Sequence, residues 1–157
     1  MLESEIIIRN AEDMDIPRII ELWKEHLDYH AKYDSFFERA EGSETGFQKY
    51  LTDNLANIGL YIAEINSKIV GFILLEIEIR PPCFVNRNFG MISDIAVTKE
   101  FRFRTIGKQL LKHALPWFKE RNINRIETRI LVANPSATAF WSSAGFNLYM
   151  NCSYLQI

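Results

Sequence analysis

The sequence predicts a mixed α/β domain with the element order β-α-α-β-β-β-α-β-α-β. Three observations carry that prediction. Two long stretches repeat apolar residues at helical spacing: Ile16, Ile19, Ile20, Trp23 and Leu27, then Ile106, Leu110, Leu111, Ala114 and Phe118. Short runs rich in β-branched and aromatic residues stand around them. Pro, Gly and Asn mark the boundaries.

In order, Glu5–Arg9 reads as a short strand. Asp15 is placed to cap the next helix, with Pro17 in its first turn, and the apolar period carries that helix to about His30. Residues Ala31–Gly42 are aromatic and acidic and read as irregular. A second helix spans Ser43 to about Asn57, with Phe47, Tyr50, Leu51 and Leu55 on one face. Leu60–Ile65 and Lys68–Ile79 are strands joined by Asn66-Ser67, a hairpin turn without the usual Gly. Pro81-Pro82 breaks the chain, and Phe89–Val97 is the next strand. The helix from Thr105 to about Arg121 contains Pro116, which should kink or shorten it. Arg125–Val132 is a strand. Asn134 caps a helix with Pro135 at its first position, and Gly145 ends it. Residues Phe146–Ile157 give one long or two short terminal strands.

The chain has 157 residues, 48% hydrophobic and 24% charged, which fits one domain over 1–157 with a core of its own. There is no repeat, low-complexity stretch or linker. A net charge of −2 argues against a general nucleic-acid surface. No run approaches the roughly 18 apolar residues of a membrane span. The start, MLESEIIIRN, lacks the basic and long apolar segments of a signal peptide. Cys83 and Cys152 form no metal spacing, so a reduced, cytoplasmic protein without a metal is expected. His26 and His30 are four apart, but Leu27 stands where a zincin pattern has Glu, so a surface or interhelix role is expected.

The most informative stretch is Ile92–Leu111, ISDIAVTKEFRFRTIGKQLL. It reads as a strand, a basic loop and the start of an amphipathic helix. A helix N-terminus offers backbone N–H groups without intrahelical partners, and its dipole favours anions. Lys99, Arg102, Arg104 and Lys108 add charge, so a phosphate-bearing ligand is expected. A Walker loop does not fit, because Gly107-Lys108 is followed by Gln109. A dinucleotide fingerprint needs three glycines, and this loop has one.

The stretch resembles the GNAT superfamily of acetyl-CoA-dependent N-acetyltransferases. Ile95-Ala96-Val97 ends the strand, and Arg102 through Gly107 fall in register with the family loop, with Thr105 where the family usually has its first Gly. Asn134, Ala139, Phe140, Trp141, Gly145 and Phe146 match a second family segment, and Ile8 through Asp15 match its start. The resemblance implies a mixed, mostly antiparallel sheet of six to seven strands. About four helices would flank it, and it would splay between its fourth and fifth strands.

It further implies acetyl-CoA as cosubstrate. The backbone amides of Arg104, Thr105, Ile106, Gly107 and Lys108 would hold the pyrophosphate, with Arg102 and Lys99 adding charge. The edge of Ile95-Ala96-Val97 would pair with the pantetheine amides, and Asn134 would contact that arm. Asp94 is placed to take the acceptor's proton, with Glu127 and Glu76 as further candidates. Trp141 stands where many members have a Tyr acid, and an indole is no acid near neutral pH, so either solvent protonates the thiolate or another group does, with Tyr149 and Tyr154 as the candidates. The link between the first two helices lines the family's acceptor pocket. Here Tyr33, Asp34 and Phe36, among further carboxylates, suggest a cationic acceptor.

The reading is transfer of an acetyl group to a primary amine, small molecule or peptide, by direct attack in a ternary complex. The alternative is an acyl-CoA-binding sensor or regulator on the same fold. A homodimer through the terminal strands is a further expectation.

Overall fold

The computed structural model describes residues 5–102 and 105–157. Five strands lie side by side in chain order: β1 (Ile6–Asn10), β2 (Gly59–Ile65), β3 (Lys68–Ile79), β4 (Asn88–Val97) and β5 (Ile126–Thr128). The first four pair antiparallel, and β4 and β5 pair parallel. The helices are α1 (Ile16–Ala31), α2 (Ser43–Asn54), α3 (Ile106–Lys119) and α4 (Pro135–Ser143). The β2–β3 turn is tight because Asn66 and Ser67 both take positive φ, 50° and 60°, which suits a two-residue hairpin. No helix among the described residues is long and apolar enough to cross a membrane.

Alternation along the strands splits the core into two layers. Ile73, Leu75 and Ile92 face α3 and α4, where Ile106, Leu110, Phe118 and Trp141 meet them. Phe72, Leu74 and Ala96 face the opposite way, toward Ile16, Ile19 and Leu22 of α1 and Leu51 of α2. Phe118 reaches β4 only because Gly90 has no side chain; a Cβ there would lie 2.5 Å from the ring.

Several expectations need correction. Asp15 does not cap α1. It is 4% exposed, receives both terminal nitrogens of Arg9 at 2.6 and 3.0 Å, and accepts the Glu12 N–H at 2.8 Å. It thereby ties β1 to the start of α1, and the Arg9 hydrogen bonds hold its carboxyl below the usual range. Pro116 does not shorten α3, which runs on to Lys119; the proline stands in the last turn, where it removes one ladder donor only. The fifth strand is three residues long, not eight. Residues 146–157 form no strand, so the described sheet has five strands and not six or seven. That tail leaves Leu148, Met150, Tyr154 and Leu155 exposed, without the buried face that would fix a strand register.

Candidate active site

β4 and β5 part company early. They pair at Gly90, Met91 and Ile92, and Thr128 Oγ1 donates to the Ile92 carbonyl at 3.1 Å where they separate. β4 continues for five more residues with no ladder partner on its β5 side among the described residues. Leu74 faces Asp94 while Leu75 faces Ile92, so Ser93 is the extra residue of a bulge. The open edge therefore begins at the bulge and includes Ile95, Ala96 and Val97.

The start of α3 stands at the end of that edge. Among the described residues the earliest helical bond there runs from Gln109 N–H to the Thr105 carbonyl at 3.0 Å, and the first-turn amides of Ile106, Gly107 and Lys108 have no partner among those residues. Thr105 has φ −67°, an ordinary value, so replacing the family's usual Gly costs no backbone strain. Its hydroxyl accepts from Gln109 Nε2 at 2.9 Å instead of capping the helix. Gly107 matters for packing: a Cβ would sit 3.2 Å from the Phe140 ring of α4. Arg104 lies outside the described residues. An open strand edge running into a helix N-terminus fits a ligand that carries peptide-like amides and then a pyrophosphate.

Two predicted contacts are already engaged. Arg102 donates through Nε to the Val97 carbonyl at 2.9 Å and through Nη2 to Glu25 at 3.0 Å, and its guanidinium lies over Tyr29 at 4.6 Å. Glu25 also accepts the Lys99 N–H at 2.8 Å and the Thr98 hydroxyl at 3.1 Å. One carboxylate on α1 thus clamps the loop after β4. Asn134 is 3% exposed, and its Oδ1 caps α4 by accepting the Ala137 N–H at 3.1 Å.

Asp94 shares the sheet face of Ala96, under α1. Burial, with the Glu76 charge second, pushes its carboxyl up to about 7. Glu76 accepts hydroxyls from Tyr50 of α2 and from the bulged Ser93. His26 of α1 comes within 3.8 Å of Asp94. Sequence reading placed His26 at the surface or between helices. A histidine on the inward side of an otherwise apolar helical stripe was the available signal.

The remaining predicted residues lie elsewhere. The Tyr149 hydroxyl donates to Glu127 at 2.6 Å, and Arg125 stacks over its ring at 4.6 Å. Glu127 is 8% exposed and also bonded to Arg80 and Arg125. Hydrogen bonds from Tyr149, Arg125 and Arg80 outweigh burial and hold its carboxyl low, which makes it a structural anion. Trp141 is 5% exposed and packs edge to face on Phe140 and Phe146. Between α1 and α2, Asp34 caps a single turn by accepting the Phe36 N–H at 3.0 Å. The Tyr33 hydroxyl bonds that of Tyr29 at 2.8 Å, and Phe36 is exposed.

The model of the acetyltransferase (GNAT) family matches residues 19–146. The chain is 26% identical over 139 residues to an uncharacterised N-acetyltransferase of Methanocaldococcus jannaschii, covering 88% of this chain and 59% of that one. It therefore spans under two thirds of that relative's length. Another uncharacterised N-acetyltransferase, from Archaeoglobus fulgidus, is 27% identical over 136 residues, covering 87% of this chain and 89% of that one. A predicted acetyltransferase of Clostridium acetobutylicum, solved with acetyl-CoA, has a TM-score of 0.79 at 21% identity over 97% of this chain and 96% of that one. That likeness is one of fold. With the parted strands, the helix N-terminus beside them and a family match over most of its length, the chain belongs to the GNAT acetyltransferase family.

Proposed function

We propose that the chain moves an acetyl group from acetyl-CoA to a primary amine by direct attack. The observation that carries this reading is positional. The β4 edge opens at the bulge beside Asp94 and runs to Val97, and α3 begins after the loop that follows. The relative from Clostridium acetobutylicum, which carries acetyl-CoA on the same fold, supports it.

In this reading the first-turn amides of α3 hold the pyrophosphate and the β4 edge holds the pantetheine amides. Acetyl-CoA supplies the activated thioester carbonyl. Asp94 takes a proton from the acceptor ammonium, leaving a neutral amine to attack. A carboxyl near 7 is well matched to that task at neutral pH. Glu76 adds negative charge beside Asp94, which suits a cationic acceptor. Tyr149 is occupied by Glu127, so the departing thiolate takes its proton from solvent.

Free thiol release, measured with a panel of primary amines, tests the reading. Asp94→Asn should lower kcat/KM by roughly a hundredfold or more. The wild-type profile should rise with pH through about 7, because the active form has lost the Asp94 proton. Binding of acetyl-CoA without turnover of any amine would favour the sensor reading. The buried Trp141 at the usual acid position is the observation on that side.

A further inference from the structure

His26 and His30 have no role in the reaction as described above. His26 Nε2 lies 3.8 Å from Asp94 Oδ1, and the two side chains are 18% and 15% exposed. The His26 ring meets His30 edge to face at 4.2 Å between centroids. Burial first, then His30, then Arg102 push the His26 ring down to about 3, so it is neutral wherever the enzyme would work. A neutral imidazole has one N–H to give. The 3.8 Å gap is too long for a finished hydrogen bond; a small turn of ring or carboxylate would close it.

We propose that His26 is a positioning residue for Asp94: its ring N–H steadies the ionised carboxylate and fixes which oxygen faces the acceptor amine. The proposal rests on Asp94 acting as the base. One N–H bond of the acceptor ammonium breaks, its proton goes to Asp94, and the electron pair stays on nitrogen; His26 keeps its own proton throughout. The charged and titratable groups around the pair come from every neighbouring element. From α1 and the loop after β4 they are His30, Tyr29 and the Glu25–Arg102 ion pair. From β3 there is Glu76, held by Tyr50 of α2 and by Ser93. Glu76 opposes ionisation of Asp94. His26 is a neutral donor within reach to favour it.

The test is an NMR titration of the whole protein with labelled aspartate carboxyls and histidine rings. In the wild type, Asp94 and the His26 ring nitrogens should report one common midpoint, with the ring remaining neutral. In His26→Leu the Asp94 midpoint should rise by roughly one pH unit, and the ascending limb of kcat/KM should move with it. His26→Gln keeps an N–H donor and should return both toward the wild-type values. An unmoved Asp94 midpoint in a folded His26→Leu overturns the proposal. Wild-type His26 signals that ignore Asp94 overturn it without any variant. A shared midpoint in a protein that releases no thiol supports the pairing and removes the acyltransfer reading instead.

Discussion

At the scale of single residues, Asp94 sets the strongest expectation for stability. Its folded-state value of about 7 lies above that of an exposed aspartate, so the unfolded chain gives up this proton first. Between about pH 4 and that value the folded state binds more protons, and this residue's share of stability falls as pH rises. The full cost of ionising it is at most about 4 kcal/mol, because each pH unit across that window takes away roughly 1.4 kcal/mol. Asp94→Asn should therefore melt above the wild type at pH 8, and the gap should close toward pH 4; thermal unfolding across that range checks it. The same substitution should cost most of the turnover, so stability and activity pull against each other at this position. His26 acts in the opposite sense. Its lowered value means the unfolded state takes up a proton first as pH falls below about 6.5, and stability is lost in that direction.

At the scale of elements, local pattern was enough where the element itself buries one face. α1 and α3 followed from apolar spacing, and the Asn66-Ser67 turn from its residue types. The three-residue β5 and the strandless tail did not follow, because strand length depends on a partner edge that a sequence does not display. Contacts between distant segments were equally invisible. Nothing local says that Glu25 reaches Thr98, Lys99 and Arg102, more than 70 positions on. That clamp carries its own prediction. Hydrogen bonds to a charged group are each worth about 1.5–3 kcal/mol, so Glu25→Gln should free the loop and weaken acetyl-CoA binding by roughly tenfold. Calorimetric titration reads this directly, and unchanged affinity would show that the clamp does not shape a cofactor site at that loop.

At the scale of the molecule, the candidate cofactor site was more legible than the acceptor site. Strand, loop and helix N-terminus are contiguous in sequence between Ile92 and Leu111, so their arrangement could be read in one pass. The surroundings of Asp94 come from α1, α2, β3 and β4, and only folding brings them together. The sheet also divides the interior into two apolar layers that share no member. Core losses on opposite sides should then add. Leu22→Ala from the α1 side and Trp141→Phe from the α4 side should combine within about 0.5 kcal/mol of their sum in denaturant unfolding. Apart from the Glu25 clamp, the layers meet chiefly through the strands between them. The helices α1 and α2 and their connecting loop can then change in sequence while the layer under α3 and α4 keeps its own packing.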